Sequence, residues 1–343
     1  MTEGAVALDP SGRGDQLGDC DSPLCDAYDA ALYDLDGVLY LGAEAVPHAA
    51  ESVAAASRAG MRSAFVTNNA SRSPAVVAAH LTEIGVPAEA ADVVTSAQAT
   101  ARLLREQLPT GVEVLVVGAD GLIEEVRAAG YAVVSRAGPA VRAVVQGYAP
   151  DTGMPELVEA ALALRAGVPW IAANTDSTLP SPRGPVPGNG ALVAALQVAT
   201  GRSPQVAGKP EPALHVESVA RVGARRPLVI GDRLDTDVLG AIRGGADSLL
   251  VLTGVATAAD VLAAARGSRP TYVAWDLRGL TSSQPPVDVE TGRAQCDGAM
   301  AAYEGGRLTV TGRGTPALRA ACALAWRCAD GGQQVDGVAG LEQ

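Results

Sequence analysis

Short apolar runs that alternate with alanine-rich segments are the feature that most constrains the fold of this 343-residue chain. From Tyr28 to about residue 280, the apolar runs have the length of buried strands and the alanine-rich segments the length of helices. This alternation predicts an α/β fold in which crossover helices connect the strands of a largely parallel sheet. The clearest strands are expected at Ala30–Tyr33, Ser63–Val66, Glu113–Val117, Arg142–Gln146, Trp170–Ala173, Leu228–Ile230 and Leu249–Leu252.

Polar residues follow the apolar runs at their carboxyl ends. Asp34 follows the first run, Thr67-Asn68-Asn69 follows the second, and Asp232 follows a run more than a hundred residues later. In open α/β sheets, ligands bind beyond the carboxyl ends of the strands. The sequence therefore predicts that these three segments deliver their polar side chains to one crevice.

The composition argues against several classes of function. The formal net charge of −12 makes general nucleic-acid binding a poor expectation, because phosphate neutralisation supplies most of that affinity. The sequence contains no run of about 20 apolar residues, so we expect no membrane insertion. The first twenty residues contain three aspartates and no apolar stretch of signal-peptide length, so we expect no export signal there.

The cysteines favour a reducing compartment. There are five of them, an odd number, and none lies between residues 26 and 295. This pattern is more typical of free thiols than of a disulfide framework, and it predicts a cytoplasmic protein. No CxxC motif occurs and no histidine lies near a cysteine in the sequence, so we do not expect a zinc site.

Asp34 and Asp36 flank a single leucine at the end of the first run, and Gly37 follows them. Residues two apart in a strand project to the same side, and glycine permits a turn directly afterwards. Two close carboxylates are costly to ionise together, and Mg²⁺, which prefers hard oxygen ligands, relieves that cost. One carboxylate can then attack phosphorus while the other transfers a proton. The alternative is a strand-to-turn junction with solvated acids.

Two further segments carry groups suited to phosphate oxygens. The Thr67 hydroxyl and the backbone N–H groups after it can bind such oxygens, although, taken alone, an ordinary Asx-type turn explains this segment better. Lys209 is the only lysine, whereas the other 25 of the 26 Lys and Arg residues are arginine. A single lysine in such a chain indicates a site that requires a compact point charge. The alternative is a lone surface lysine.

The last segment with chemical potential is Gly231-Asp232-Arg233-Leu234-Asp235-Thr236-Asp237. Asp232 lies at a predicted strand end, where it can bind a metal ion. Asp237 lies in the first turns of the next helix, where it can orient Lys209 or a metal-bound water. Acids that favour a helix N-terminus explain Asp235 and Asp237 well and explain Asp232 less well.

In this order, the segments resemble the haloacid dehalogenase (HAD) superfamily, in the branch of p-nitrophenyl phosphatases, phosphoglycolate phosphatases and glycerol-3-phosphate phosphatases. The resemblance covers about residues 27–280. Two additional segments, Ala172-Ala173-Asn174-Thr175-Asp176 and Pro187-Gly188-Asn189-Gly190, resemble the cap signature of this branch. The core segments that match are Tyr33-Asp34-Leu35-Asp36-Gly37-Val38-Leu39-Tyr40, Phe65-Val66-Thr67-Asn68-Asn69, Gly208-Lys209-Pro210 and Gly231–Asp237.

The resemblance implies a Mg²⁺-dependent phosphatase that forms a phospho-aspartate on Asp34. It implies that Asp36 protonates the leaving oxygen and later activates water. The metal ion is expected to be held by Asp34, the backbone carbonyl of Asp36, and Asp232. The remaining expected roles are phosphoryl binding by Thr67, Asn68 and Lys209, support of the site by Asp237, and substrate contact by the cap residues Asn174, Asp176 and Arg183.

The resemblance also implies a domain organisation. A HAD-like Rossmannoid core with a parallel sheet is expected from residues 27–97 and 205–280, and residues 98–204 are expected to form an inserted α/β cap that selects the substrate. Residues 1–26 are expected to be a disordered lead-in. Residues 287–330 predict a small appended α+β piece, with two short strands within Gly292–Thr311 and a helix at Pro316–Cys328. This tail lies outside the branch pattern. Two roles are open for it: an interaction surface, or a lid that covers the core.

A large cap favours a small phosphorylated metabolite as the partner, and glycerol 3-phosphate and 2-phosphoglycolate are the expected substrates on the resemblance alone. A phosphotransferase or phosphomutase that uses Asp34 is one alternative. A catalytically silent binding protein on the same fold is another, although it is expected to lack one of the four motifs. A dinucleotide-binding oxidoreductase has weak support, because Val117-Gly118-Ala119-Asp120-Gly121 does not continue as GxGxxG. A homo-oligomer is compatible with the sequence.

Overall fold

The computed structural model describes residues 15–179, 183–184 and 186–343. These residues form two compact units, and the fold is α/β, as predicted. Unit 1 comprises Met1–Phe65, Leu81–Pro87 and Val219–Gln343, and unit 2 comprises Val66–His80 and Ala88–Ser218. These bounds differ from those predicted for the core and the cap, and the assignment of residues 98–204 to a substrate-selecting cap stays a prediction.

The strands are numbered in chain order. They are β1 (Ala30–Asp34), β2 (Tyr40–Leu41), β3 (Glu44–Ala45), β4 (Arg62–Thr67), β5 (Val93–Thr95), β6 (Glu113–Val117), β7 (Ala132–Val134), β8 (Val141–Gln146), β9 (Trp170–Ala172), β10 (Thr178–Leu179), β11 (Val186–Pro187), β12 (Gln205–Val206), β13 (Pro227–Gly231), β14 (Asp247–Val251), β15 (Tyr272–Ala274), β16 (Asp288–Glu290), β17 (Arg293–Cys296), β18 (Ala299–Glu304), β19 (Arg307–Thr311) and β20 (Gly337–Ala339).

The helices are α1 (Leu24–Ala27), α2 (Ala49–Arg58), α3 (Pro74–Glu83), α4 (Ser96–Gln107), α5 (Asp120–Ala128), α6 (Met154–Arg165), α7 (Asn189–Thr200), α8 (Ala213–Val222), α9 (Leu239–Gly244), α10 (Ala258–Leu262) and α11 (Gly314–Asp330). Short 3₁₀ turns occupy Ala90–Asp92 and Leu277–Thr281, and a π-helical turn occupies Leu234–Val238.

The largest sheet has six strands in the order β15-β14-β13-β1-β4-β5. Strands β1, β13, β14 and β15 pair in parallel. The residues of β1 before Asp34 are buried, as are all those of β13, which is the pattern of a parallel sheet covered on both faces. All seven strands predicted from the sequence form, within two residues of the predicted ends.

A second parallel sheet lies within residues 113–206. Its five strands have the order β12-β9-β8-β6-β7. Helices α6 and α7 pack on it through Ala160, Leu164, Val193 and Leu196, which belong to one hydrophobic cluster with strand residues such as Val144. The inserted segment is therefore an α/β sheet with its own apolar interior, as the sequence predicts.

The C-terminal piece is an α+β structure, as predicted, with more strands than expected. Strands β16–β19 form an antiparallel meander, and β20 pairs in parallel with β19. Two strands were predicted within Gly292–Thr311, but three form there, because Asp297-Gly298 and Gly305-Gly306 make two tight hairpin turns. These four residues have positive φ angles, which two-residue hairpins of type I′ require.

The C-terminal piece shares a hydrophobic interior with the rest of unit 1. Helix α11 contributes Leu318, Leu324 and Trp326 to a cluster that also contains Val261 of α10 and Val273 of β15. The Trp326 indole N–H donates to the Val261 carbonyl over 2.8 Å. The piece therefore covers apolar surface of α10 and β15.

The predicted disordered lead-in is wrong for residues 15–26. The Gly18 N–H donates to the Thr271 carbonyl over 2.8 Å, and Cys20 forms a β-bridge with Gln284. Leu24 is fully buried. This segment is ordered because its backbone bonds are made with a distant part of unit 1. Residues 1–14 of the predicted lead-in lie outside the described residues.

Within the described part of the chain, none of the helices combines the length and the apolar character needed to cross a membrane. All five cysteines are free thiols.

Candidate active site

The first carboxylate of the candidate site lies at the carboxyl end of β1. Asp34 is the last residue of the strand and is half-buried. The Leu35 carbonyl accepts a hydrogen bond from the Leu39 N–H over 2.9 Å, which folds the chain back directly after the strand. Gly37 has a φ of 85°, in the left-handed region that favours glycine. The predicted turn therefore forms at Gly37, and it leaves the Asp36 side chain exposed.

The second carboxylate directly follows β13. Asp232 is only 1% exposed, and its Oδ2 accepts a hydrogen bond from the Val255 N–H over 2.6 Å. A Cβ atom built on Gly37 or on Gly254 would overlap this carboxylate. Thr253 Oγ1 donates to the Gly37 carbonyl over 2.6 Å. Two glycine-containing loops, after β1 and after β14, thus enclose the Asp232 side chain.

The third carboxylate is carried by the π-helical turn Leu234–Val238. Asp237 is 1% exposed, and its Oδ2 accepts a hydrogen bond from the Arg233 N–H over 3.1 Å. A Cβ atom on Gly231 would overlap the Asp237 side chain. The sequence predicts that Asp237 lies in the first turns of a helix, and the structure has the π turn followed by α9 there. Single π turns inside helices are frequent at functional sites.

Carboxylate oxygens of Asp34, Asp232 and Asp237 all lie within 4.8 Å of one another. Two of these side chains are almost fully buried, so water screens their mutual repulsion poorly. A divalent cation that takes oxygen ligands offsets such repulsion. The donor set is therefore the kind that fits Mg²⁺, and the glycines around Asp232 keep bulkier side chains out of its surroundings.

The cluster contains two of the predicted metal-binding residues, Asp34 and Asp232. Asp237, which was expected to support the site, contributes an oxygen to the cluster itself. The carboxylate of Asp36 lies outside this group of three, and its expected roles in proton transfer and through its backbone carbonyl stay predictions. Asp235 pairs with Arg233, whose hydrogen bonds lower the pKa of the Asp235 carboxyl.

Thr67 and Asn69 form a local turn at the end of β4, in unit 2. Thr67 is 4% exposed, and its hydroxyl oxygen accepts a hydrogen bond from the Asn69 N–H over 3.0 Å. Asn69 Oδ1 accepts a hydrogen bond from the Ser71 N–H over 2.8 Å. The Asx-type turn that the sequence offered as the alternative explanation therefore forms. Phosphoryl binding by Thr67 stays a prediction.

Asn68 binds the backbone of Lys209 at two points. Its Oδ1 accepts a hydrogen bond from the Lys209 N–H over 2.7 Å, and its Nδ2 donates to the Lys209 carbonyl over 3.2 Å. A Cβ atom on Gly208 would stand 2.6 Å from Asn68 Oδ1, so glycine permits this approach. Lys209 itself is 4% exposed. Phosphoryl binding by Asn68 and Lys209 stays a prediction.

The two segments of the cap signature lie against each other. The Gly190 N–H donates to the Asp176 carbonyl over 2.9 Å, and Asn189 Nδ2 donates to the Asn174 carbonyl over 2.6 Å. A Cβ atom on Gly188 or Gly190 would overlap the backbone of Asp176 or Thr175. The turn at residues 187–190 therefore holds the loop at residues 174–176 in place.

Asn174, one of the expected substrate contacts, makes hydrogen bonds within the protein. Asn174 is 4% exposed; its Nδ2 donates to the Asn68 carbonyl over 2.7 Å and its Oδ1 accepts from the Asp176 N–H over 3.3 Å. Both polar atoms of its side chain are thus engaged within the protein. The Asp176 carboxylate accepts a hydrogen bond from Asn68 Nδ2 over 3.3 Å. Arg183 is exposed. Substrate contact by Asn174, Asp176 and Arg183 stays a prediction.

Comparisons with known proteins agree with this geometry. A family profile of haloacid dehalogenase-like hydrolases matches residues 31–132, and a HAD-hydrolase-like profile matches residues 206–280. The chain is 53% identical over 253 residues to the D-glycerol 3-phosphate phosphatase of Mycobacterium tuberculosis, a match that covers 74% of this chain and 71% of that protein.

The chain belongs to the haloacid dehalogenase-like hydrolase family. The profile matches contain all three clustered carboxylates, those of Asp34, Asp232 and Asp237.

Solved structures of HAD hydrolases share this fold. The crystal structure of the M. tuberculosis glycerol phosphate phosphatase in complex with magnesium superposes with a TM-score of 0.80 at 45% identity, and covers 89% of this chain and 92% of that one. The p-nitrophenyl phosphatase of Archaeoglobus fulgidus superposes with a TM-score of 0.69 at 31% identity, and covers 74% of this chain and 98% of its own. The first match covers more of this chain than residues 1–280 contain, so it extends into the C-terminal piece.

Several residues around the candidate site were not found from the HAD motifs. Three of them follow β14. Gly254 and Val255 contact Asp232, and Thr253 Oγ1 donates to the Gly37 carbonyl. The signal was present, because a threonine and a glycine follow a predicted strand at its carboxyl end. Asn189 was noted only as part of the cap signature, without a role, and Ser96 was missed. Ser96 Oγ donates to the Asn68 carbonyl over 2.6 Å, a contact that no spacing in the sequence indicates.

Proposed function

We propose that this HAD hydrolase is a Mg²⁺-dependent phosphatase that hydrolyses a small phosphate monoester, with glycerol 3-phosphate as the preferred substrate. The observation that carries the proposal is the cluster of Asp34, Asp232 and Asp237 at the carboxyl ends of β1 and β13. Three close carboxylates, two of them buried, provide a site for a divalent cation next to a half-buried aspartate that can act as a nucleophile.

In the proposed reaction, a carboxylate oxygen of Asp34 attacks phosphorus, and the bond from phosphorus to the leaving oxygen breaks. Asp36 donates a proton to that oxygen, which leaves as the alcohol. Asp36 then accepts a proton from water as the water oxygen attacks phosphorus, and the bond from phosphorus to the Asp34 oxygen breaks. The products are the alcohol and inorganic phosphate, and both aspartates return to their starting states.

Mg²⁺ is proposed to be held by Asp34, the Asp36 carbonyl and Asp232, with Asp237 as a further carboxylate of the cluster. When bound, it supplies positive charge that offsets the repulsion between the nucleophile and the phosphate oxygens. Thr67, the Asn68 backbone N–H and Lys209 are proposed to bind the phosphoryl oxygens. The bulk of the catalytic effect is then positioning and charge neutralisation around the phosphoryl group.

The substrate assignment rests on the relatives. The M. tuberculosis relative is a D-glycerol 3-phosphate phosphatase, and the match in sequence includes about three quarters of this chain. Glycerol 3-phosphate therefore ranks ahead of 2-phosphoglycolate. We assign substrate selection to the cap at residues 98–204.

Phosphate release from the purified protein tests the proposal. The panel contains glycerol 3-phosphate, 2-phosphoglycolate and several sugar phosphates, each assayed with Mg²⁺ and with EDTA. We expect phosphate release with Mg²⁺, highest kcat/KM for glycerol 3-phosphate, and background rates with EDTA. No release from any substrate would contradict the phosphatase assignment and favour a binding protein.

Isotope labelling separates hydrolysis from phosphoryl transfer. In H₂¹⁸O, hydrolysis places one ¹⁸O atom in the released phosphate. A phosphotransferase or phosphomutase that uses Asp34 would instead pass the phosphoryl group to an acceptor alcohol, and unlabelled phosphate ester would accumulate.

We further propose a homo-oligomer that forms through α6 and α7. Met154 and Leu162 of α6 are 71% and 54% exposed, and Val198 of α7 is 90% exposed. Helix α7 has no charged residue, so two copies of this acidic chain can meet there without charge repulsion. Sedimentation velocity tests this assignment: Val198→Glu is expected to convert a dimer into a monomer, and a monomeric wild-type protein would contradict it.

The five free thiols support a cytoplasmic location.

A further inference from the structure

A series of hydrogen bonds through three asparagines of unit 2 ends at Lys209. Asn68 forms two hydrogen bonds with the Lys209 backbone, through Oδ1 at 2.7 Å and Nδ2 at 3.2 Å. The carbonyl of Asn68 is in turn the acceptor for Asn174 Nδ2 at 2.7 Å. The carbonyl of Asn174 is the acceptor for Asn189 Nδ2 at 2.6 Å. The chain of contacts runs from the start of α7 to Lys209.

Three of the four residues are almost inaccessible to solvent. Asn174 and Lys209 are each 4% exposed, and Asn189 is fully buried. Hydrogen bonds between buried neutral groups are costly to leave unmade, so the Nδ2 groups of Asn174 and Asn189 are held on their carbonyl acceptors. This series of hydrogen bonds connects four segments that are distant in sequence. It ends on the backbone of the only lysine in the protein.

We infer that Asn174 and Asn189 are positioning residues for Lys209. They hold the Asn68 peptide in place, and Asn68 holds the Lys209 backbone. This inference rests on the proposed function in one respect, since it takes Lys209 to be a phosphoryl-binding group. This role acts through Asn68 and requires no contact between either asparagine and the substrate.

Asparagine is required at both positions because the contact needs a donor on a short neutral side chain. Aspartate has nearly the same size but cannot donate to a carbonyl when ionised. Asn174→Asp therefore places a carboxylate against the Asn68 carbonyl, and Asn189→Asp places one against the Asn174 carbonyl. At position 189 the helix dipole offsets only part of the cost of a buried carboxylate, so the folded fraction of this variant is measured by circular dichroism before the titration.

Binding of inorganic phosphate tests the inference without requiring turnover. The full chain is titrated with inorganic phosphate by calorimetry in the presence of Mg²⁺, as the wild type and as Asn174→Asp and Asn189→Asp. We expect the phosphate Kd to rise about tenfold or more in both variants, in line with the loss of one positioned cationic contact. We expect the Mg²⁺ concentration for half-maximal effect to stay unchanged, because the three clustered carboxylates belong to unit 1.

Gln197→Glu is the matched control. It makes the same amide-to-acid change on α7, where Gln197 Nε2 bonds to Ser203 Oγ over 3.2 Å and takes no part in the chain of asparagines. A phosphate Kd within twofold of the wild type is expected for this control. A role limited to stability would reduce the folded fraction, which lowers the number of binding sites in the titration and leaves the Kd unchanged.

An unchanged phosphate Kd in both Asn174→Asp and Asn189→Asp would overturn the inference, whatever the outcome of the turnover assay. A wild-type protein that binds phosphate but hydrolyses no ester would contradict the proposed phosphatase and leave this binding comparison intact. A wild-type protein that binds no phosphate at all would overturn the inference together with the assigned role of Lys209.

Discussion

Arg319 donates from Nη1 to Oε1 of Gln284 over 2.9 Å, and both side chains are fully buried. The same guanidinium donates from Nη2 to the carbonyls of Gly18, over 2.7 Å, and Pro285, over 2.8 Å. All three acceptors are neutral, and burial lowers the pKa of Arg319. One side chain of α11 thus ties the N-terminal segment and the linker before β16 to the C-terminal helix.

Arg319→Ala is expected to destabilise unit 1 by about 3 kcal/mol, because it leaves several buried acceptors without a donor and opens a cavity. Urea denaturation followed by Trp fluorescence measures the change. Arg58→Ala, at an exposed position of α2, is the control and should be close to neutral. A stability of Arg319→Ala equal to that of the control would mean that the buried hydrogen bonds contribute little.

Asp34→Asn is expected to lower turnover by about 10³-fold or more, since the amide is a poor nucleophile and the phospho-aspartate cannot form. The midpoint of thermal unfolding should not fall, because the substitution removes one of three mutually repelling carboxylates. Steady-state phosphate release and differential scanning fluorimetry are the measurements. Retention of most of the activity would assign the nucleophile to another residue.

Gly254→Ala is expected to raise the Mg²⁺ concentration for half-maximal activity about tenfold or more, because a Cβ atom there displaces the Asp232 carboxylate. Gly138→Ala is the matched control, since a Cβ atom at that position has no neighbour within 4 Å. The same Mg²⁺ requirement in both variants would show that the loop after β14 can move without affecting Asp232.

Lys209→Arg is expected to lower kcat by about 10²-fold, even though the positive charge is kept. Lys209 is 4% exposed and its backbone is bound on both sides by Asn68, so the larger planar guanidinium has little room to be accommodated. Steady-state kinetics with the best substrate of the panel measures the effect. Wild-type rates in this variant would make the single lysine incidental.

Asp330 gives a pH dependence that can be measured. Hydrogen bonds from Arg269 and Arg266 hold the pKa of the Asp330 carboxyl well below its usual range. Its contribution to stability is therefore present above about pH 4, the usual value for an unfolded aspartate, and is lost as the pH falls below it. Asp330→Asn should lower the unfolding midpoint by about 4 °C at pH 7, and the difference should shrink between pH 4 and pH 2.5. A difference in unfolding midpoint that stays constant across this pH range would show that protonation of Asp330 does not change the stability.

The sequence was sufficient for the parts of the site that depend on single strands. Asp34 and Asp232 were found because each follows an apolar run, and the turn at Gly37 follows from the conformational freedom of glycine. The position of Gly37 against Asp232 and Gly254 was not predicted, because it depends on the approach of loops about two hundred residues apart in the sequence. Propensity and periodicity contain no information on such an approach.

The dependence on contacts between distant segments also explains the other differences between the predictions and the structure. Asn174 has the residue type expected of a substrate contact, and only its two internal hydrogen bonds reveal a structural role. Residues 15–26 have the composition of a disordered segment, but their partners are Thr271 and Gln284. Asp297-Gly298, in contrast, is a local hairpin signal, and it was available from the sequence alone.

The shared interior of α10 and α11 places a condition on shorter members of the HAD family. Val261 and Leu262 lie on α10 and are buried in the same cluster as Leu318, Leu324 and Trp326 of α11. A relative that ends before this helix must either carry polar side chains at the two α10 positions or cover them with a different element. Across the family, polar residues at the positions of Val261 and Leu262 should therefore occur together with the absence of the C-terminal piece. The residue types on this face of α10 then indicate whether an ancestral protein had the C-terminal piece.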